Sequence, residues 1–126
     1  MRNKGNYYEQ QAAEWLLQQG LQSVEKNFHC RGGEIDLIMQ QSETLCFIEV
    51  KYRSSNAFGG AAFSIPLSKQ NKIIRAALTF LDKNRRYSKH TYRFDALFIT
   101  PQSPASAALN FEWIQNAFSA AESRYF

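Results

Sequence analysis

Hydrophobic and polar residues alternate from Gly33 to Arg53, and this alternation predicts two β-strands. The first strand has apolar side chains at every second position, at Ile35, Leu37 and Met39. The second strand is apolar on both faces over Leu45–Val50, which is typical of a central strand covered on both sides. A two-residue turn at Ser42-Glu43 would join the two strands into a hairpin.

Apolar residues spaced three and four apart predict two helices. The first runs from Gly5 to Gln19, with Tyr8, Ala12, Trp15 and Leu16 on its apolar side. The second runs from Lys69 to about Asn84 and uses Ile73, Ile74, Ala77, Leu78, Phe80 and Leu81. Ser68 is the expected N-cap of this second helix, because its hydroxyl can accept a bond from a free N–H of the first turn.

The remaining chain predicts a weaker strand at Leu21–Phe28 and a clear one at Thr91–Thr100. Leu109–Phe111 is expected to be a short edge strand, and Trp113–Ala121 a closing helix with Ile114, Ala117, Phe118 and Ala121 inward. The Gly-, Ser- and Pro-rich stretch 53–66 predicts a loop, either a functional flap or a flexible connection. Together these elements predict one α/β domain over residues 1–126, with a mixed sheet and helices on both faces.

Composition fits an ordinary globular domain. The chain has 126 residues, 44% hydrophobic and 21% charged. Its 15 Lys and Arg exceed 11 Asp and Glu by a net +4, which permits a polyanionic partner without pointing to one. Cys30 and Cys46 form neither a disulfide framework nor a zinc spacing, and are expected to be reduced. With no apolar leader and no membrane-length segment, we expect a cytoplasmic protein without a membrane partner.

Charged residues interrupt the apolar hairpin at one end. The expected pairing sets Asp36 opposite Glu49 and Glu34 opposite Lys51, and opposed Cβ atoms lie about 5 Å apart. Two carboxylates that close repel each other unless a cation lies between them, and a divalent metal ion is the natural candidate. A cross-strand Glu34–Lys51 ion pair with a solvated Asp36 would explain the same residues.

Glu9 is a further carboxylate to weigh. It stands in the first turns of the first predicted helix, where it can complement the helix dipole. It also borders the apolar stripe next to Tyr8, so it could point inward.

Such a cluster suits phosphodiester hydrolysis. That reaction needs an activated water and a stabilised anionic transition state, and a carboxylate-bound divalent cation with a nearby lysine provides both. Asp36, Glu49 and Lys51 bring those groups to one open corner of the predicted sheet.

The segments G-E-I-D-L-I and F-I-E-V-K-Y-R resemble the PD-(D/E)xK signature of the restriction-endonuclease-like superfamily, with Ile35 in the place of its proline. More narrowly, the chain resembles the YraN family of bacterial proteins through G-x-x-x-E, G-G-E-I-D-L-I, F-I-E-V-K-x-R, F-G-G-A and R-F-D-A. The resemblance implies an αβββαβ core.

The resemblance also implies roles for individual residues. Asp36 and Glu49 would bind Mg²⁺, for which Mn²⁺ can substitute, together with the Val50 carbonyl oxygen and Glu9. Lys51 would position the attacking water. Residues that would contact nucleic acid are Arg53, Lys69 and Gln70.

Three functions therefore stand as hypotheses. The first is a metal-dependent endonuclease acting on DNA, with branched or structured DNA as one substrate class and a homodimer as one assembly. The second is a non-catalytic nucleic-acid-binding protein that keeps the nuclease fold. The third is a structural or interaction subunit.

Overall fold

The computed structural model describes residues 3–54 and 64–120. In chain order, the elements are α1 (Asn3–Gln18), β1 (Gln22–Cys30), β2 (Gly33–Gln41), β3 (Thr44–Tyr52), α2 (Leu67–Lys83), a 3-10 turn (Arg85–Tyr87), β4 (Thr91–Pro101) and β5 (Leu109–Phe118). Of the predicted loop 53–66, residues 55–63 lie outside the described residues.

The strands form one mixed sheet in the order β1-β2-β3-β4-β5. Three neighbouring pairs are antiparallel, and β3 and β4 are parallel. Parallel neighbours require a crossover connection, and the chain between β3 and β4 contains α2. The protein is thus an α/β protein with β3 at the centre of its sheet.

Each face of the sheet packs against one helix. On one face, α1 buries Ala12, Ala13 and Leu16 in a cluster with Leu37, Met39, Cys46 and Ile48. On the other, α2 buries Ile73, Ile74, Ala77 and Phe80 in a cluster with Ile38, Leu45, Phe47 and Phe94. Because both faces of β3 are covered, its continuous apolar run is buried, as predicted.

The β2–β3 hairpin has the predicted register over its inner part. Ladder pairs run from Gln41–Thr44 to Leu37–Ile48 around the two-residue turn Ser42-Glu43. Ser42 takes the left-handed conformation with φ of 53°, as hairpin turns of this length require. The ladder ends at Leu37–Ile48, so the strands separate before they reach the charged residues.

Glycines at the β1–β2 turn let α2 approach the sheet closely. A Cβ atom at Gly33 would lie 2.5 Å from the Lys72 carbonyl oxygen, well inside contact distance. At Gly32 the nearest atom, Arg75 Cβ, would be 3.4 Å away. Gly33 is therefore the position where the close approach excludes a side chain.

Two predictions from periodicity are wrong. The expected closing helix Trp113–Ala121 is instead part of β5, up to Phe118; Ala121 lies outside the described residues. Leu109, Phe111 and Trp113 pack at every second residue against the α1 cluster. The β4–β5 register then shifts between Phe94–Phe118 and Ala96–Ile114, so the strict alternation of the first part of β5 does not continue to Phe118.

The second wrong prediction concerns the start of α2. Ser68 does not cap the helix, because α2 already begins at Leu67 after Pro66 and its first turn has no side-chain cap. Proline before the first turn sets an extended backbone at that point, with φ of −58° and ψ of 147°, without any hydroxyl contact. Among the described residues, neither helix combines the length and apolar character needed to cross a lipid bilayer.

Candidate active site

Asp36 lies at the point where β2 and β3 separate. Its Oδ2 atom accepts a hydrogen bond of 2.8 Å from the Val50 N–H, so the side chain takes the place of a ladder partner. Ile35 and Leu37 should share a face of the strand, yet Ile35 packs with the α2 cluster and Leu37 with the α1 cluster. The strand therefore rotates at Asp36, between the two faces.

Glu49 approaches this point from the α2 face. It is 5% exposed, and its Oε2 atom lies 3.7 Å from Lys69 Nζ at the start of α2. The other oxygen, Oε1, is buried without a hydrogen-bond partner. The negative charge of Asp36 raises the pKa of the Glu49 carboxyl, so the two carboxylates are neighbours, although the β2–β3 ladder ends before the expected Asp36–Glu49 pair.

Glu9 approaches Asp36 from α1, which packs on the opposite face. Its Oε1 atom is also buried and has no hydrogen-bond partner among the described residues, while the nearby charge of Asp36 raises the pKa of the carboxyl and the Asn27 side chain opposes that shift. The inward orientation considered for Glu9 is thus the one that the structure has. Asp36 forms the link between two carboxylates that come from opposite faces of the sheet.

Burial raises the pKa values of these three carboxyl groups. Burial, followed by the negative charge of Asp36, raises the pKa of Glu49 to about 8. The same two causes in the same order raise the pKa of Glu9 to about 7. Burial also raises the pKa of Asp36, opposed mainly by its bond from the Val50 N–H. The site therefore favours protonated carboxyl groups or a bound cation.

The donor chemistry fits a hard divalent cation. All three side chains offer carboxylate oxygens, and Glu9 and Glu49 each have a buried oxygen with no partner. Among residues 3–54 and 64–120, however, no three acidic, histidine or cysteine side chains already stand around a single point as a ligand set. The carboxylates are linked in pairs through Asp36, so binding would require them to adjust.

Lys51 is the nearest basic residue of β3. It is half-buried, and its positive charge acts on Glu49 to lower the pKa of that carboxyl, a smaller effect than the burial that raises it. Glu34, expected opposite Lys51, instead has its Oε1 atom 3.1 Å from His29 Nδ1. The alternative explanation by a Glu34–Lys51 ion pair is therefore wrong.

The three residues expected to contact nucleic acid differ in their surroundings. Lys69 lies at the carboxylates, as described. Gln70 uses its side-chain amide to donate a 2.8 Å hydrogen bond to the Ile65 carbonyl, which supports the start of α2. Arg53 donates from Nη1 to the Tyr52 carbonyl at 3.3 Å. Of these three residues, Lys69 is the one whose charged group lies next to a carboxylate of the candidate site.

Asn27 is the residue that sequence reasoning missed. It belongs to a strand whose alternation was weak, and an isolated asparagine there carried no signal for a site. Its left-handed conformation, with φ of 52° inside a strand, becomes visible only in the structure.

These features define a mixed α/β protein with a buried acidic site where two central strands part. Residues 8–99 match the family model described as "Uncharacterised protein family UPF0102", and the chain belongs to this family, also called YraN. The matched range includes every candidate site residue from Glu9 to Gln70 and ends within β4.

Relatives cover nearly the whole chain. A UPF0102 protein of Alcanivorax borkumensis is 46% identical over 93% of this chain and 92% of its own length. One from Nitrosomonas eutropha is 49% identical over 93% of this chain and 94% of its own. One from Aeromonas hydrophila is 45% identical over 92% and 85%, respectively.

Proposed function

We propose that this protein is a metal-dependent endonuclease that hydrolyses DNA phosphodiester bonds. The observation that carries the proposal is that Asp36 neighbours both Glu9 and Glu49, which approach it from opposite faces of the sheet, with Lys51 and Lys69 near Glu49. Placing three carboxyl groups next to one another, with Glu49 buried, is costly, and a purely structural site would gain more from apolar residues. A divalent cation offsets that cost, because its positive charge neutralises the carboxylates.

The order of elements supports a restriction-endonuclease-like fold. A helix, a three-strand meander, a crossover helix and a parallel fourth strand follow one another in the chain. The β2–β3 ladder ends at Leu37–Ile48, and just beyond it the Asp36 carboxylate accepts the bond from the Val50 N–H, so the candidate ligands lie where the two strands part.

Each residue has a definite role in the proposed reaction. Glu9, Asp36 and Glu49, with the Val50 carbonyl, would hold Mg²⁺ or Mn²⁺, which polarises the phosphate and lowers the pKa of a bound water. Lys51 orients the attacking water through its ammonium protons. Lys69, now 3.7 Å from Glu49, is available to hold a non-bridging phosphate oxygen.

The proposed hydrolysis is a single displacement at the phosphorus atom. A water oxygen forms a new bond to phosphorus and loses one proton, and the bond from phosphorus to the leaving sugar oxygen breaks. The leaving oxygen takes up a proton, which leaves one phosphate monoester and one hydroxyl end.

The test is cleavage of a DNA panel that includes linear duplex, single-stranded, flapped and four-way branched forms, with Mg²⁺ or Mn²⁺. We expect Asp36→Ala to reduce cleavage at least 10³-fold, on the order of what loss of a central electrostatic group costs. Glu34→Ala is the matched control, because Glu34 is an exposed carboxylate on the same strand that pairs with His29. We expect this control to cleave as the parent does.

Two results would contradict the proposal. Equal cleavage by Asp36→Ala and the parent would place the activity elsewhere. Binding of DNA without cleavage of any form, and without affinity for divalent ions, would favour a non-catalytic nucleic-acid-binding protein.

A further inference from the structure

A cavity of about 210 Å³ lies on the α2 face of β4 and β5. Its walls come from Ala96 of β4, from Ile114 and Ala117 of β5, and from the chain at the start of α2. The helix itself packs mainly on β2 and β1, so it leaves this part of the sheet open. A well-packed core seldom has a void of this size, since a single water molecule takes up about 30 Å³.

The register of the sheet places this cavity next to the candidate active site. In the parallel pair of β3 and β4, Ala96 is the partner of Glu49, and Phe98 is the partner of Lys51. Phe98 also lines the cavity. Paired residues share a face of the sheet, and neighbouring strands lie about 4.8 Å apart. A group that enters the cavity is therefore one strand away from Glu49 and Lys51.

The lining of the cavity is neutral. Ile65, Phe98 and Ile114 contribute apolar side chains, while Ser64 and Gln70 contribute a hydroxyl and an amide. Gln70 donates from Nε2 to the Ile65 carbonyl at 2.8 Å, which holds this part of the wall in place. No acidic or basic side chain is among the described residues that line the cavity, so the lining has no charge with which to hold a phosphate group.

A nucleobase has the chemistry that such a lining complements. It is uncharged, it has two flat faces that pack against apolar and aromatic side chains, and its edge carries donors and acceptors that a hydroxyl and an amide can meet. The volume of about 210 Å³ is below the roughly 300–1,000 Å³ of pockets for larger ligands, and it suits a single ring system. The charged phosphate would stay beside Lys51 and Lys69.

We propose that this cavity receives one unpaired nucleobase of the DNA substrate, next to the phosphate that is cleaved. The cleavage in this inference rests on the proposed function, whereas base binding by the cavity does not. Bases of an intact duplex are stacked and paired, and a base that is already unpaired is the least costly to bring into a pocket. The substrate class is therefore DNA with an unpaired nucleotide at the point of cleavage.

The test compares three DNA duplexes that differ at one position: an unpaired adenine, an unpaired abasic sugar, and no unpaired nucleotide. Fluorescence anisotropy measures their binding to Asp36→Asn protein, so that the DNA stays intact. We expect the adenine duplex to bind at least tenfold more tightly than the abasic duplex, because stacking of one base is worth roughly 5- to 150-fold in affinity. This ratio is the base discrimination.

Two variants of the cavity connect the base discrimination to this place. Ala117→Phe fills the cavity from an exposed position and should reduce the base discrimination to less than twofold. Ile114→Ala removes part of the apolar wall and should reduce it severalfold. Gln115→Phe is the matched control, because it adds the same ring at an exposed position of β5 outside the lining, and it should keep the full ratio.

Equal affinity for the adenine and abasic duplexes would overturn the inference, as would binding of none of the three DNAs or a ratio that survives Ala117→Phe. A second copy of the chain as the occupant would give no base discrimination, together with a dimer in sedimentation that Ala117→Phe dissociates. Cleavage of DNA by a protein without base discrimination would leave the proposed function intact. Base discrimination without cleavage of any DNA would keep the base site and remove the hydrolysis.

Discussion

At the residue scale, Glu49 bears much of the electrostatic cost of the site. It is nearly inaccessible to water, one of its oxygens has no partner among residues 3–54 and 64–120, and the other lies 3.7 Å from Lys69 Nζ. A raised pKa means that the folded, metal-free protein holds a proton on Glu49 at pH values where the unfolded chain has lost it. Stability without metal must therefore depend on pH.

The sign follows from proton counting. The Glu49 carboxyl has an ordinary pKa of 4.5, and in the fold this pKa is raised to about 8. Within that window the folded state binds more protons, so the free energy of unfolding falls as pH rises. The contribution is fully present below pH 4.5 and is lost as pH approaches about 8. Glu9, whose pKa is about 7, adds a decline of the same sign.

We predict that Glu49→Gln flattens this decline in metal-free protein and raises the free energy of unfolding at pH 8 by about 1–3 kcal/mol, because a neutral amide carries no buried charge. Urea denaturation at pH 5, 6, 7 and 8 measures both quantities. Glu34→Gln removes an exposed carboxylate and should keep the parental slope. An unchanged slope in Glu49→Gln would show that this carboxyl is not protonated in the fold.

At the scale of elements, the β2–β3 hairpin shows which structural features could be predicted from the sequence. Alternation at Ile35, Leu37 and Met39 and the two-residue turn predicted the β2–β3 register, because both are local properties of the chain. The same pairing predicted that Asp36 and Glu49 lie close together. The structure keeps their proximity but replaces the ladder between them by the bond from Val50 N–H to Asp36.

That replacement could not be predicted, because it depends on contacts between distant segments. β2 rotates at Asp36 directly opposite Asn27, a left-handed residue of the neighbouring strand β1. The same holds for β5, where Asn116 is left-handed and its N–H bonds to the buried Asp95 at 2.8 Å. In β5, the spacing of the apolar residues is typical of a helix, although the segment is a strand.

Packing of α2 on β2 gives a prediction at this scale. We expect Gly33→Ala to lower the free energy of unfolding by about 1–3 kcal/mol, because its Cβ would lie 2.5 Å from a backbone oxygen of α2 and force the two elements apart. Gly32→Ala is the control, since its Cβ would meet Arg75 at an ordinary 3.4 Å. Chemical denaturation of both variants makes the comparison. Equal effects would mean that the close approach does not limit packing.

At the scale of the whole molecule, the proposed function requires the excess of positive charge to be arranged so that a polyanion can reach the acidic site. Lys69 stands at the N-terminal end of α2 beside Glu49, and Lys83 stands in its last turn. With a rise of about 1.5 Å per residue, the two lysines are roughly 21 Å apart along the helix axis. The basic residues that follow Lys83 belong to the distant end.

The salt dependence of DNA binding distinguishes these two ends. Each phosphate contact that is lost reduces the slope of log K against log salt by about 0.9 for duplex DNA, because fewer counterions are released. In an Asp36→Asn background, which prevents cleavage, we predict that Lys69→Gln reduces the slope by about one contact and Lys83→Gln leaves it unchanged. Fluorescence anisotropy over a range of salt concentrations measures the slopes. The opposite result would place the DNA on the far end of α2, beyond reach of Asp36, and would count against hydrolysis at this site.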